Sequence, residues 1–139
     1  MGAIGGIDRT VELTNVWLGE IDGELGYEDR QHAHHALRAV LHTLRDRLTV
    51  EQAVDLGAQL PMRVRGIYYE GWRPSQTPKR LRTREQFIEE VAHNLAFDGG
   101  MDIEQCCHAV FHTLDRHVSE GEIDQIKQML PKDVRRIWT

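Results

Sequence analysis

Glu104, His108, His112 and Asp115 stand at spacings of four, four and three. On a helix these steps return to one face. Two histidines four apart can share a divalent ion, with carboxylates completing its coordination. These four are the candidate metal ligands, and no other cofactor is expected. The plainer reading is a solvated helix face, because Ile103, Cys107, Val110 and Leu114 mark a different, apolar stripe. Seventy residues earlier the same face carries His34, Arg38, His42 and Arg45, and its arginines would repel a metal.

Catalytic groups are harder to assemble. His42 and His112 are each followed by Thr and Leu, and a repeated histidine can move protons. A triad would need a serine, cysteine or carboxylate beside both copies, and none is there. A structural role, such as meeting a neighbouring helix end, fits better. Cys106 and Cys107 replace Ala36 and Leu37 of the first half, so they read as packing. Adjacent helical residues point about 100° apart and do not readily form a disulfide, which predicts reduced thiols and a cytoplasmic protein. Cys-Cys-His lacks paired zinc spacing. There is no phosphate loop, GxGxxG, GxSxG or HExxH, and Asp-Gly-Gly at 98–100 reads as a turn. No catalytic residue is assigned, and the protein is not expected to be an enzyme.

Binding features are clearer. Arg73, Lys79, Arg80, Arg82 and Arg84 are five cations with no acid between 73 and 84. Residues 12–29 hold six acids and no base. The basic stretch is expected to be a solvated connector, or to meet the acidic first helix. Nucleic acid is not an expected partner, since the net charge is −5, the pI about 5.9, and no recognised module surrounds the patch. Ile-Tyr-Tyr-Glu-Gly-Trp at 67–72 concentrates aromatics. Tyr68 answers Trp138 and reads as core. Tyr69 and Trp72 have no aromatic counterpart, and either close the packing or form a binding hot spot. Tyr69, Trp72, Arg80 and Arg82 are the candidate partner-binding residues.

These groups must be positioned by a duplicated set of helices. Between 37–68 and 107–138, ten of 32 gapless positions are identical at an offset of 70. Ala-Val-Leu-His-Thr-Leu at 39–44 returns as Ala-Val-Phe-His-Thr-Leu at 109–114. The upstream pairs Trp17/Phe87, Ile21/Val91, Leu25/Leu95 and Tyr27/Phe97 keep type rather than identity. Leu13, Trp17, Ile21 and Leu25 mark a first helix from near Thr10, ended by Gly26 and preceded by a loose leader over 1–6. A second helix runs from about Asp29 to Arg47. Thr49/Gln52, Thr83/Gln86 and Ser119/Glu122 have capping-box spacing. Pro61 and Pro131 each stop one helix and open another. No two-residue alternation is sustained. The fold predicted is all-α: one domain over 1–139, with about eight helices in two pseudo-symmetric four-helix repeats, 8–70 and 83–139. The repeats share one core and are joined by a basic, proline-containing linker over 71–82. No stretch approaches the ~20 apolar residues of a membrane span, and no secretory signal is visible.

His-Ala-Leu-Arg-Ala-Val-Leu-His-Thr-Leu-Arg-Asp-Arg-Leu at 35–48, Gln-Leu-Pro at 59–61 and Arg-Gly-Ile-Tyr-Tyr-Glu-Gly-Trp at 65–72 together resemble the family termed domain of unknown function 2267. The resemblance spans about Asp8 to Trp138. It implies a bacterial, soluble, all-helical tandem-repeat protein and carries over no catalytic residue, cofactor or substrate. The function expected is a non-enzymatic helical binding or adaptor module, with self-association as one form of that binding. The alternative is a metal-binding or metal-responsive protein using the His/Glu/Asp face.

Overall fold

The computed structural model describes residues 2–95 and 100–138, with side chains from residue 11 onward. Eight α-helices follow in order: α1 (Gly2–Leu25), α2 (Arg30–Arg47), α3 (Val50–Ala58), α4 (Met62–Tyr69), α5 (Arg84–Asn94), α6 (Ile103–His117), α7 (Glu120–Met129) and α8 (Lys132–Trp138). A 3-10 turn, Pro74–Gln76, interrupts the long connection between α4 and α5. Among the described residues there is no strand, and the protein is all-α as the periodicity requires. Phe97, and Asp98 and Gly99 of the expected turn, lie outside the described residues.

Local chemistry sets most boundaries. Gly26 adopts φ +76° and its N–H closes α1 onto Asp22 O at 2.8 Å. Asp29 caps α2 by accepting from Gln31 N at 2.9 Å, and this bond helps hold its carboxyl below the ordinary carboxylate value. Among the three expected capping boxes, the one at Thr83 and Gln86 closes in both directions. Thr49 accepts from Gln52 N, but Gln52 Oε1 is buried without a partner among the described residues. The carbonyls of Pro61 and Pro131 accept from Arg65 N at 2.7 Å and Arg135 N at 2.8 Å, opening α4 and α8 alike. One boundary differs from expectation: α1 begins at Gly2 rather than near Thr10. The early glycines lower helix propensity but do not forbid the helix, and no proline interrupts it.

The core lies where α2 and α6 meet, with α1 and α5 packed across them. Trp17 and Phe87 are both fully buried, as are Val64 and Val134, and Leu44 and Leu114. Phe111 stacks on Trp138 with ring centroids 4.2 Å apart. Each fully buried large apolar side chain contributes roughly 1.5–3 kcal/mol. Thr43 and Thr113 are buried polar exceptions. Each hydroxyl donates back to the carbonyl four residues earlier, Ala39 O at 2.8 Å and Ala109 O at 2.9 Å.

The polar face read on the second helix is divided by packing. His34 and Arg38 remain half-exposed, but Arg45 is only 4% exposed. Its Nη1 donates to Tyr68 O at 2.7 Å and Glu70 O at 2.9 Å, and its Nε to Asp46 Oδ1 at 2.9 Å. The last carbonyls of α4 have no partners within their own helix, and this guanidinium supplies them. The connection also departs from expectation. It crosses the end of α2 and the side of α5, not the acidic first helix: Lys79 N donates to Asp46 O at 2.7 Å, and Lys79 Nζ to Glu90 Oε1 at 3.1 Å. Two acids of α1 turn instead to α6. Glu20 pairs with Arg116 and His117, and Glu24 with His112.

Candidate functional site

Three helices of the first half leave a cleft of about 450 Å³ between them. Thr14, Asn15 and Leu18 line it from α1, His34 from α2, and Arg63, Gly66, Ile67 and Glu70 from α4 and its end. Leu18 and Ile67 rest on the hydrophobic core and form an apolar wall. Gly66 leaves the middle open, since a Cβ built there meets nothing within 4 Å.

The charges around this cleft are unequal. Glu70 is engaged by Arg38 in an ion pair. Arg30 leans over Gly19 and donates from Nη1 to Asn15 O at 3.2 Å. Arg63 has no hydrogen-bond or ion-pair partner among the described residues and is exposed. His34 is held below the ordinary imidazole value, first by partial burial and then by nearby His35 and Arg38. The result is a pocket of small-ligand size with an apolar wall and a few convergent polar groups, with one arginine and one carboxylate in its lining and two further arginines bonded to lining residues.

A second cleft, of about 460 Å³, lies along α5. It is lined by Arg84, Glu85, Ile88, Glu89, Ala92 and Glu104. Arg84, Glu85, Ile88 and Glu104 stand 70 positions after Thr14, Asn15, Leu18 and His34. The sign of the chemistry is reversed. Arg84 forms an ion pair with Glu104, and its backbone N–H donates to Asp133 Oδ2 at 2.8 Å. Asp133 is the counterpart of Arg63. Acids thus outnumber bases at the second cleft, and its arginine is already paired.

The four residues with metal spacing share one helix but turn to different neighbours. Glu104 holds Arg84 of α5 and lies 4.0 Å from His108 Nε2. His112 is bonded to Glu24 of α1, and Asp115 accepts from Trp138 Nε1 of α8 at 2.9 Å. Among the described residues no group of three or more His, Cys, Asp or Glu is arranged to hold a metal.

Tyr69 and Trp72 pack partly buried against the core, 5.4 Å apart between ring centroids. Arg82 is exposed, and its backbone N–H donates to Gln86 Oε1 at 2.8 Å. Arg80 is exposed beside Leu81, Gln86, Glu89, Glu90 and His93, apart from the aromatic pair in the contacts it makes. Burial pushes the Cys106 thiol up to about 11 and that of Cys107 higher still. Both thiols are therefore protonated at neutral pH and poor nucleophiles. The Tyr68 hydroxyl is likewise raised by burial and donates to Ala53 O at 2.6 Å.

The first cleft escaped sequence reasoning because its wall comes from three segments. Two signals were legible: Gly66 inside a short helix, and cationic residues on a polar face of an acidic chain. Gly57 is a third overlooked position. Its Cβ would stand 2.2 Å from Tyr69 Oη, so the glycine makes room for that ring.

The family described as Uncharacterized conserved protein (DUF2267) matches residues 14–137. No curated protein matches the chain.

Proposed function

We propose a binding function rather than a chemical one for this chain, which belongs to the DUF2267 family of uncharacterized conserved proteins. The binding surface in this reading is the cleft between α1, α2 and α4. The observation that carries it is the contrast between two clefts at positions 70 apart: one is bridged by Arg84 and Glu104, while the other holds Arg63, unpaired among the described residues, beside an apolar wall. The protonated thiols and the committed Tyr68 hydroxyl support a non-enzymatic role. Two free, adjacent, buried cysteines support a reducing cytoplasm. In the same reading the chain is a bacterial protein of two like halves, 8–70 and 83–139, sharing one core. The matched burial of Trp17 and Phe87, and of Val64 and Val134, supports that view of the halves.

A small-compound NMR screen tests the reading. Bound compounds should shift the amide signals of Thr14, Asn15 and Gly66. Gly66→Leu should fill the open middle and abolish those shifts while keeping the melting temperature. If compounds of every charge type leave the cleft signals unmoved, the proposal fails. A second reading, self-association, draws on Val50 and Val54. They stand one turn apart on α3 at 43% and 46% exposure, where the second half carries Glu120 and Asp124. Light scattering of wild type and Val54→Asp decides it: a dimer in the first that is lost in the second supports it, and two monomers refute it.

A further inference from the structure

We propose that the cleft between α1, α2 and α4 takes a small organic anion, its carboxylate or phosphomonoester at Arg63 and its apolar body against Leu18 and Ile67. This rests on the preceding reading of the cleft as a binding site and adds the chemistry of its occupant.

The sign of the ligand follows from which charges are already satisfied. Glu70 is the cleft's acid, and Arg38 occupies it. A cationic ligand would have to displace that arginine from α2. An anion displaces nothing, because Arg63 has no partner among the described residues. Arg30 adds a second guanidinium at the α1 side, where Nη1 makes a single bond to Asn15 O. The planar fork of a guanidinium suits a carboxylate or a phosphate, and charge-assisted bonds to it are the strong ones. Thr14, Asn15 and His34 supply neutral polar groups around the charge.

The rest of the chain sharpens the choice. Its net charge is −5, so a locally positive cleft is a departure from the surrounding field. Three acids of α1 are held elsewhere: Glu20 by Arg116 and His117, Glu24 by His112, and Asp22 by the Asp29 N–H at 3.0 Å. The second cleft serves as an internal comparison. Glu85, Glu89 and Glu104 face it with only Arg84 as a base, and they would repel the same ligand.

The body of the ligand is set by space. Gly66 gives room over a cleft of about 450 Å³. That suits a short alkyl chain or a single aromatic ring, and the apolar contact with Leu18 and Ile67 favours such a body over bare inorganic phosphate.

The test titrates the whole protein with hexanoate, phenyl phosphate, inorganic phosphate, hexylammonium and hexanol, following amide signals by NMR. Hexanoate or phenyl phosphate should shift Thr14, Asn15, Leu18 and Gly66, and the stronger of the two identifies the head group. Inorganic phosphate should bind at least several-fold more weakly than phenyl phosphate. Arg63→Ala should weaken binding about tenfold or more, and Arg63→Lys should recover part of it. Raising salt from about 0.05 to 0.5 M should weaken it several-fold. Lys132→Ala, an exposed cation on α8 outside the cleft lining, should leave it unchanged. If hexylammonium or hexanol binds the cleft as tightly as the anions, or Arg63→Ala changes nothing, the anion assignment is overturned while the cleft stands as a binding site. If none of the five probes moves the cleft signals but other compounds do, the anion assignment again fails alone. Failure of every compound removes both.

Discussion

Replacing Gly57 by alanine places a methyl group where the ring of Tyr69 already lies. The new Cβ would be 2.2 Å from the phenolic oxygen, 2.7 Å from Cζ and 3.0 Å from Cε2. The ring cannot bend away, because an aromatic side chain moves only by rotating as a rigid plate. Tyr68 packs edge-on at 5.0 Å and Trp72 at 5.4 Å between centroids, so rotation disturbs both. Overpacking of this kind costs about 1–3 kcal/mol. An opposing effect comes from the backbone. Gly57 sits in regular helix, where alanine is favoured over glycine by ~1 kcal/mol. The net loss is therefore up to about 2 kcal/mol, or several degrees of melting temperature for a chain of this size. The diagnostic measurement is the same substitution in a Tyr69→Ala background. There the clash is gone and Gly57→Ala should stabilise by up to ~1 kcal/mol. Urea unfolding of all four proteins, followed by circular dichroism, gives a coupling energy of about 1–3 kcal/mol. Additivity within ~0.5 kcal/mol would show that the glycine does not accommodate the ring.

Leu44→Ala and Leu114→Ala each empty a fully buried site and should cost about 2–5 kcal/mol by chemical denaturation; a negligible loss at either would place that residue outside the core. Arg45→Ala should destabilise by ~3–5 kcal/mol, because it strands the Tyr68 and Glu70 carbonyls and the Asp46 carboxylate, whereas Arg80→Ala, at an exposed arginine, should stay within ~0.5 kcal/mol; equal effects would refute the assigned partners. His42 is half-buried with Nε2 2.7 Å from Ile67 O, and desolvation holds it below the ordinary imidazole value of 6.5 despite that bond. The folded state therefore resists its protonation more than the unfolded chain does. Its contribution is full above pH 6.5 and lost as pH falls below that value and through the folded pKa. Unfolding curves at pH 7.5 and 5.5 should show this loss reduced in His42→Gln, and an identical pH dependence would remove His42 as its source.

Much of the fold was legible because helices announce themselves locally. Trp17, Ile21 and Leu25 recur at a helical period, and Thr83 with Gln86 marks a start through bonds made within four residues. Gly26 closes α1 by a conformation that its lack of a Cβ permits. The same locality explains why Leu44 and Leu114, both fully buried, could be placed on apolar stripes from their helical spacing. Partnership was not legible to the same degree. Glu104 and His112 share a helix face and invite a metal, yet one pairs with Arg84 and the other with Glu24, 88 residues away. Arg45 looks like surface on its own helix and is buried by the end of α4.

The sequence by itself determined that this chain is helical, which stripes are apolar, where the caps fall, and that positions 70 apart match. Periodicity and capping depend on neighbours within a turn or two, so they survive being read in one dimension. Only the tertiary structure decided which charges cancel and which stand open. Arg84 and Arg63 are alike as residues; one meets Glu104 across a cleft and the other meets no partner among the described residues. Coulombic attraction depends on distance in space, and packing sets that distance without regard to separation along the chain.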